Sequence, residues 1–160
     1  MTPEQVFSIA NLIATAAWVA LVILPGRGWV TGIVTSTAVP LLFALVYVGI
    51  VATTFGRTPG GFSTLADVTT LFSNPWALLA GWIHYLAFDL LIGTWEARDA
   101  REHGVPHLLL VPCLVLTFLF GPAGWLLYRG VRLTKSSQMR QSLSSVSGSL
   151  NSHGASRRSA

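Results

Sequence analysis

The sequence predicts an all-α polytopic membrane protein, a bundle of four transmembrane helices with a disordered C-terminal tail. Three observations lead there. Of 160 residues, 52% are hydrophobic and only 10% charged, where soluble domains carry about 25% charge. The charges avoid four long stretches: Gln5 to Gly26 and Gly28 to Gly56 hold none, Val68 to Phe88 holds only His84, and Val105 to Tyr128 only His107. Each stretch supplies the about 20 apolar residues that a bilayer crossing needs, without the polar residues at helical period that a soluble bundle requires. The expected organisation is one transmembrane domain over residues 1–135, with spans at about 4–24, 29–53, 75–95 and 105–128, and a Ser-rich tail over 136–160.

The first span stops at Pro25-Gly26, a breaker pair. Its flank MTPEQ carries an acid rather than Lys or Arg, and no small-x-small cleavage site follows Leu24, so it is expected to stay rather than be removed as a signal peptide. The second span contains Pro40, which frees the carbonyl of Ser36 and predicts a kink that Ser36 and Thr37 can satisfy locally. The connection FGRTPGGFSTLADVTTLFSNP is the longest irregular segment, and Phe62, Leu65, Leu71 and Phe72 place part of it on the membrane surface. The third span starts near Pro75, with Asn74 as N-cap and proline at the first helical position. The fourth contains Pro112 and ends near Gly121-Pro122. From Ser136 onward Ser, Gly and Asn dominate, a composition that cannot build a core.

Four spans put both termini on one side. That side holds Arg57, Arg129, Arg132, Lys135, Arg140, Arg157 and Arg158, against Arg27, Arg98 and Arg101 opposite, so the tail is expected to be cytoplasmic. The net charge of +4 suits anchoring to anionic lipid. Nucleic acid is not an expected partner, because the bases are thinly spread without interleaved aromatics. Cys113 is the one cysteine, which excludes an intrachain disulfide. Trp29, Trp76, Trp95 and Trp125 fall near span ends, as an interfacial belt does, while Trp18 and Trp82 lie deeper. The small residues Gly28 and Gly32 match a close-contact spacing and leave homo-oligomerisation open.

The stretch GWIHYLAFDLLIGTWEARDA, Gly81 to Ala100, carries the chemistry. At about 100° per residue, Trp82, Tyr85, Asp89, Glu96, Asp99 and His103 share one face within about 80° of Asp89, and Arg98 and Arg101 lie on the other. Two readings of Glu96, Asp99 and His103 stand side by side: a solvated helix extension, or a polar cluster converging on a proton or an ion. One helix cannot complete a metal site and His107 is the only nearby candidate elsewhere, so no metal is assigned. Asp89 lies inside the apolar part, where an acid costs about 2.5–3.5 kcal/mol. It is therefore expected to face the bundle interior as a general acid or base, or else to hydrogen-bond Tyr47, Ser36 or Thr37. His84 points about 140° away on an ideal helix. A His84–Asp89 dyad would need a π-bulge between them.

The pattern Trp82-x-His84, Asp89-Leu90, Gly93, Trp95 and Asp99, followed by FGPAGWLLY from Phe120 to Tyr128, resembles the ABA-deficient-four-like family of small membrane proteins. The resemblance covers most of the chain up to about Arg132. It implies conversion of a 5,6-epoxy carotenoid end group to an allenic alcohol, as in neoxanthin synthesis, or related chemistry on another isoprenoid. Such an isomerisation is redox-neutral and needs an acid for the epoxide oxygen and a base for a polyene proton. His84 and Asp89 are then the acid–base candidates, and Trp82, Tyr85 and Trp95 the substrate-packing surface. No nucleotide-binding loop, haem motif or CxxC pair is present, and no cofactor is expected. The competing reading is a non-enzymatic scaffold or lipid-binding protein, in which the same polar residues pack helices together.

Overall fold

The computed structural model describes residues 1–135; the tail expected to be disordered, residues 136–160, lies outside them. The described residues are helical and contain no strand. The helices are α1 (Pro3–Ile23), a π-helix (Val30–Ala38) running directly into α2 (Val39–Thr54), α3 (Leu65–Phe72), α4 (Pro75–Glu102) and α5 (His107–Phe120). A further helix, α6, covers 122–135.

Local sequence accounts for most boundaries. Thr2 and Gln5 cap α1 reciprocally, with Gln5 N–H donating to Thr2 Oγ1 at 3.3 Å and Thr2 N–H to Gln5 Oε1 at 2.9 Å. Asn74 Oδ1 accepts from the backbone N–H groups of Trp76 and Ala77 at 2.9 and 3.2 Å, and Pro75 needs no partner. The surface segment gains a helix, α3, from a second reciprocal cap between Thr64 and Asp67. Pro40 acts upstream of itself: the chain widens to π geometry from Val30 to Ala38, with Val39 N–H reaching back five residues to the Val34 carbonyl. The wider turn re-registers the carbonyls ahead of the proline, and Ser36 Oγ closes onto the Gly32 carbonyl at 2.8 Å.

Three helices are long and apolar enough to cross a membrane: Pro3–Ile23, Val30–Thr54 and Pro75–Glu102. The fourth predicted span, 105–128, is not one helix. Helix α5 has 14 residues, about 21 Å at 1.5 Å per residue, against a hydrocarbon core of about 30 Å. It ends at Gly121, whose φ of +38° lies where only glycine sits without penalty. The chain then turns back. Gly121 abuts Asp89 midway along α4, whereas Tyr128 and Arg132 meet Asp99 and His103 at the C-terminal end of α4. Thus α5 descends from the end of α4 to its middle, and α6 climbs back alongside. At Gly124, any Cβ would collide with Thr117, so the missing side chain lets the two arms close on each other. The architecture is three long helices plus an inserted helical hairpin, in place of a four-span bundle.

Helix α4 is the hub. Ala10, Ala14 and Ala17 form a small-residue stripe on α1 that brings it close, and Trp18 lies flat where a side chain at Gly93 would project. One core joins α1, α2 and the first half of α4 through Ala14, Phe43, Ile50, Ile83 and Leu86. The other joins α1, the second half of α4 and the hairpin through Leu21, Leu90, Ala97, Leu114 and Tyr128.

At one end of the molecule, the Arg101 guanidinium donates to the Gly26 carbonyl at 2.6 Å and Arg98 to that of Thr31, so the α1–α2 connection, the end of α4 and the open end of the hairpin lie together. The chain's start lies at the opposite end, where Phe7 and Asn11 meet Trp82. Residues 5 and 135 are therefore at opposite ends of the bundle, whereas four spans would place them together. With Cys113 replaced by Ala, single cysteines at positions 5 and 135 should label from opposite faces of oriented vesicles with a membrane-impermeant maleimide. Labelling of both from one face would restore the four-span arrangement.

Candidate functional site

Helix α4 presents its acids toward the hairpin. Asp89 meets the tip. A Cβ at Gly121 would lie 2.8 Å from Asp89 Oδ1 and 3.1 Å from Oδ2, so the carboxylate occupies the space that a side chain there would fill. The Tyr85 hydroxyl, one turn below, lies against this carboxylate but donates its proton to the Phe118 carbonyl at 3.0 Å. Asp89 Oδ2 is left buried without a hydrogen-bond partner among the described residues. Tyr47, Ser36 and Thr37 do not supply one: Ser36 and Thr37 bond each other at 3.3 Å, and Tyr47 packs against His84. A buried polar oxygen without a partner costs about 1–3 kcal/mol, which marks Asp89 as the anomalous residue of the helix.

Glu96, Asp99 and His103 are instead engaged. Glu96 is fully buried and accepts the Thr117 hydroxyl on both carboxylate oxygens, at 3.0 and 3.1 Å. Asp99 Oδ2 receives the Tyr128 hydroxyl at 2.5 Å and an Arg132 ion pair at 2.6 Å. His103 Nδ1 stands 3.5 Å from Asp99 Oδ1, and its Nε2 lies 2.7 Å from the Arg132 guanidinium. These three are therefore neither a plain solvated extension nor a converging ligand set: the oxygens of Glu96 and Asp99 are taken by partners on α5 and α6. Among the described residues no three His, Cys, Asp or Glu side chains are grouped to hold a metal ion. The cluster fastens the hairpin to α4.

The aromatic candidates divide by depth. Trp82 is partly exposed, donates Nε1–H to Asn11 Oδ1 at 2.9 Å, and stacks between Phe7 and Tyr85 with ring centroids 5.6 and 5.4 Å away. Phe7, Trp82 and Tyr85 thus form a continuous aromatic strip that ends at Asp89. Trp95 is nearly two turns beyond Asp89 and packs edge-on against Tyr128 at 5.7 Å, bracing the hairpin. Trp18 is buried against Phe118 and the Gly93 backbone, with its Nε1–H unpartnered.

His84 belongs to a different place. Helix α4 is regular α-helix throughout, with no π-bulge between His84 and Asp89; the π geometry lies in the second span. His84 faces α2 and α3, stacks on Tyr47 and Phe88 at 5.9 and 4.6 Å, and lines a cavity of about 500 Å³ roofed by Phe62, Leu71 and Phe72. The structure therefore joins Trp82, Tyr85 and Asp89 and leaves His84 outside that group.

Sequence reasoning did not place four residues of this arrangement beside α4: Thr117, Gly121, Tyr128 and Arg132. Reading 105–128 as one span gave them no common level with α4. The pair Gly121-Pro122 with Gly124 was a signal for the reversal, since two glycines around a proline suit a turn better than a helix end.

An all-helical chain, among its described residues, with three membrane-length helices, an inserted hairpin and a half-buried acid at its tip is the class that the fold defines. The sequence matches the ABA DEFICIENT 4-like (ABA4-like) family over residues 5–128, and the chain belongs to that family. No curated protein and no solved structure matches it.

Replacing Arg132 by Leu leaves the Asp99 carboxylate with Tyr128 and the more distant His103, and should destabilise the chain by about 3 kcal/mol, as for other buried pairs that lose one partner. Tyr128→Phe should cost about 1–2 kcal/mol. Unfolding in mild detergent by a denaturing detergent titration measures both. An Arg132→Leu stability equal to that of the parent would show that the cluster does not hold the hairpin.

Proposed function

We propose that this chain is a multi-pass membrane protein that isomerises an isoprenoid end group, in the manner of a carotenoid epoxide opening to an allenic alcohol, with Asp89 as its acid–base group. The observation that carries the reading is the unpartnered, buried Oδ2 of Asp89 at the end of the Phe7–Trp82–Tyr85 strip. A polyene dissolves in lipid, so a strip of partly exposed aromatic faces along the helices suits it better than an enclosed cavity. Its ring end would then lie at the hairpin tip.

One carboxyl group can run the whole step. Asp89 in its acid form gives its proton to the epoxide oxygen as the C–O bond on the polyene side breaks, and that bond's electron pair becomes the alcohol oxygen's. The Asp89 carboxylate then removes a proton from the adjacent polyene carbon, and the freed C–H electron pair forms the second double bond of the allene. The proton count closes, Asp89 is restored and no redox partner is consumed. Tyr85, fixed by Phe118, is a positioning residue that holds the carboxylate orientation. General acid–base catalysis of this kind contributes about 10²–10⁴-fold.

A second reading places the end group in the cavity beside Tyr47 with His84 as the proton carrier; it is favoured by His84 making ring contacts but no hydrogen bond among the described residues. A non-enzymatic scaffold is favoured by the extent of the Glu96 and Asp99 pairing. Expression in a bacterial host that makes an epoxidised carotenoid, with pigment analysis, separates the three. Asp89→Asn should cut conversion at least about 100-fold at unchanged protein abundance, and Tyr85→Phe should lower it about tenfold, while His84→Ala stays near the parent. Full conversion by Asp89→Asn would remove the assignment, and loss in His84→Ala alone would transfer the reaction to the cavity. Loss of abundance in both would favour the scaffold.

The orientation we propose follows from the hairpin. The end with Arg27, Arg98, Arg101, Arg129, Arg132 and Lys135 faces the cytoplasm, and the end with Glu4, Arg57 and Asp67 faces away.

A further inference from the structure

The basic end of the bundle carries a cleft that the chemistry at Asp89 does not use. It has a volume of about 300 Å³ and lies between the end of α1, the end of α4 and the start of α5. Ile23, Pro25, Ala97 and Leu110 give it an apolar floor, and Arg101 and His107 stand at its rim. Arg101 is exposed and spends one N–H on the Gly26 carbonyl at 2.6 Å. A guanidinium has five such donors, and Arg101 makes no ion pair among the described residues. The ring of His107 has no hydrogen-bond partner among them either.

A third feature points the same way. Helix α5 starts at His107 behind Pro106, which supplies no side-chain cap. The N–H groups of Leu109 and Leu110 donate to the Pro106 carbonyl, which leaves those of His107 and Leu108, with the positive end of the helix dipole, to favour an anion at that position. The surroundings agree in sign: Arg27, Arg129 and Lys135 occupy the same end, and Glu102 is its only exposed acid among the described residues. The floor opens to the outside at Ile23, which is 66% exposed. A cleft with a cationic rim and an apolar floor fits a head group joined to acyl chains, and a free anion would leave the floor unused.

We infer that this cleft binds the phosphate head group of an anionic phospholipid, with Arg101, His107 and the start of α5 on the phosphate and an acyl chain along Ile23 and Leu110. The site requires that the chain be membrane-embedded, and is independent of any reaction at Asp89. Basic pockets between helices on the cytoplasmic side are the usual place for such lipids.

The test uses the full chain in nanodiscs made from equal parts of phosphatidylglycerol and phosphatidylcholine, with the retained lipid counted by native mass spectrometry. The parent should retain phosphatidylglycerol about tenfold over phosphatidylcholine. Arg101→Gln should reduce that preference to about twofold and His107→Ala should lower it about threefold, consistent with loss of one or two charge-assisted contacts. Arg57→Gln at the other end should leave it unchanged, and so should Asp89→Asn, which separates this site from the isomerase reading. If Arg101→Gln does not fold, His107→Ala decides. Equal retention of both lipids by the parent would overturn the site. So would an Arg57→Gln loss as large as that of Arg101→Gln, which would mean diffuse attraction. Displacement of the lipid by millimolar inorganic phosphate would likewise overturn it in favour of a free-anion site.

Discussion

A chain that reverses inside an apolar bundle must hide the reversal in protein, because hydrocarbon offers no partner for free backbone groups. Here the reversal at Gly121 is covered by α4, and the Asp89 carboxylate sits directly against it. Much else follows from that contact. It sets the depth to which α5 descends, and so which residues of α5 and α6 stand level with Glu96, Asp99 and His103. It also removes the fourth crossing. A Cβ at position 121 would be doubly wrong, once for the backbone at φ +38° and once for the acid it would displace.

The acids of α4 divide according to what the hairpin offers each. Glu96 and Asp99 find hydroxyls and a guanidinium on the returning arms. Such groups contribute less net stability than their short distances suggest, since desolvation offsets most of the attraction. Their value is register: a carboxylate that must meet Thr117, and another that must meet Tyr128 and Arg132, permit one vertical position of the hairpin and no other. Asp89 is treated differently. Its nearest hydroxyl, Tyr85, is committed to a backbone carbonyl, leaving a buried oxygen open. Fully paired acids two and three turns away rule out a helix generally short of partners, so the unpartnered oxygen of Asp89 is specific to that level.

The parts of the fold visible in the sequence were those set by local chemistry. The Asn74-Pro75 and Pro25-Gly26 boundaries are written in a few neighbouring residues, and the three long helices in uninterrupted apolar runs. The angular separation of His84 and Asp89 was legible for the same reason, because α4 stays regular. The hairpin was not. Hydropathy over 105–128 is the same whether the segment crosses or turns back, and what distinguishes the two is a contact 32 residues away in sequence, between Asp89 and Gly121. The partners of Glu96 and Asp99 were hidden with it. Helix α3 was missed although Thr64 and Asp67 stand at capping-box spacing, because acid and hydroxyl in a Gly-rich connection read as loop. At Pro40 a kink was expected; the π-helix ahead of it widens the turn instead, which requires knowing that the Thr35 hydroxyl can close onto the Val30 carbonyl at 3.1 Å.

Charge placement is the independent argument that the hairpin is a coherent feature of the chain. Under four crossings, Arg57, Arg129, Arg132 and Lys135 oppose Arg27, Arg98 and Arg101, a difference of one among the described residues. Topology signals weigh the cations nearest the helix ends most heavily, so a four-to-three division specifies the orientation only weakly. Turning the last segment back places six of these cations at one end and, among the described residues, only Arg57 at the other. The same reversal therefore buries the backbone turn, supplies partners to two buried acids and gathers the cations on one face. Three unrelated requirements, in backbone hydrogen bonding, side-chain pairing and long-range charge, are met by a single conformation at Gly121. A four-span bundle would leave Glu96 and Asp99 without these partners and the charge bias weaker.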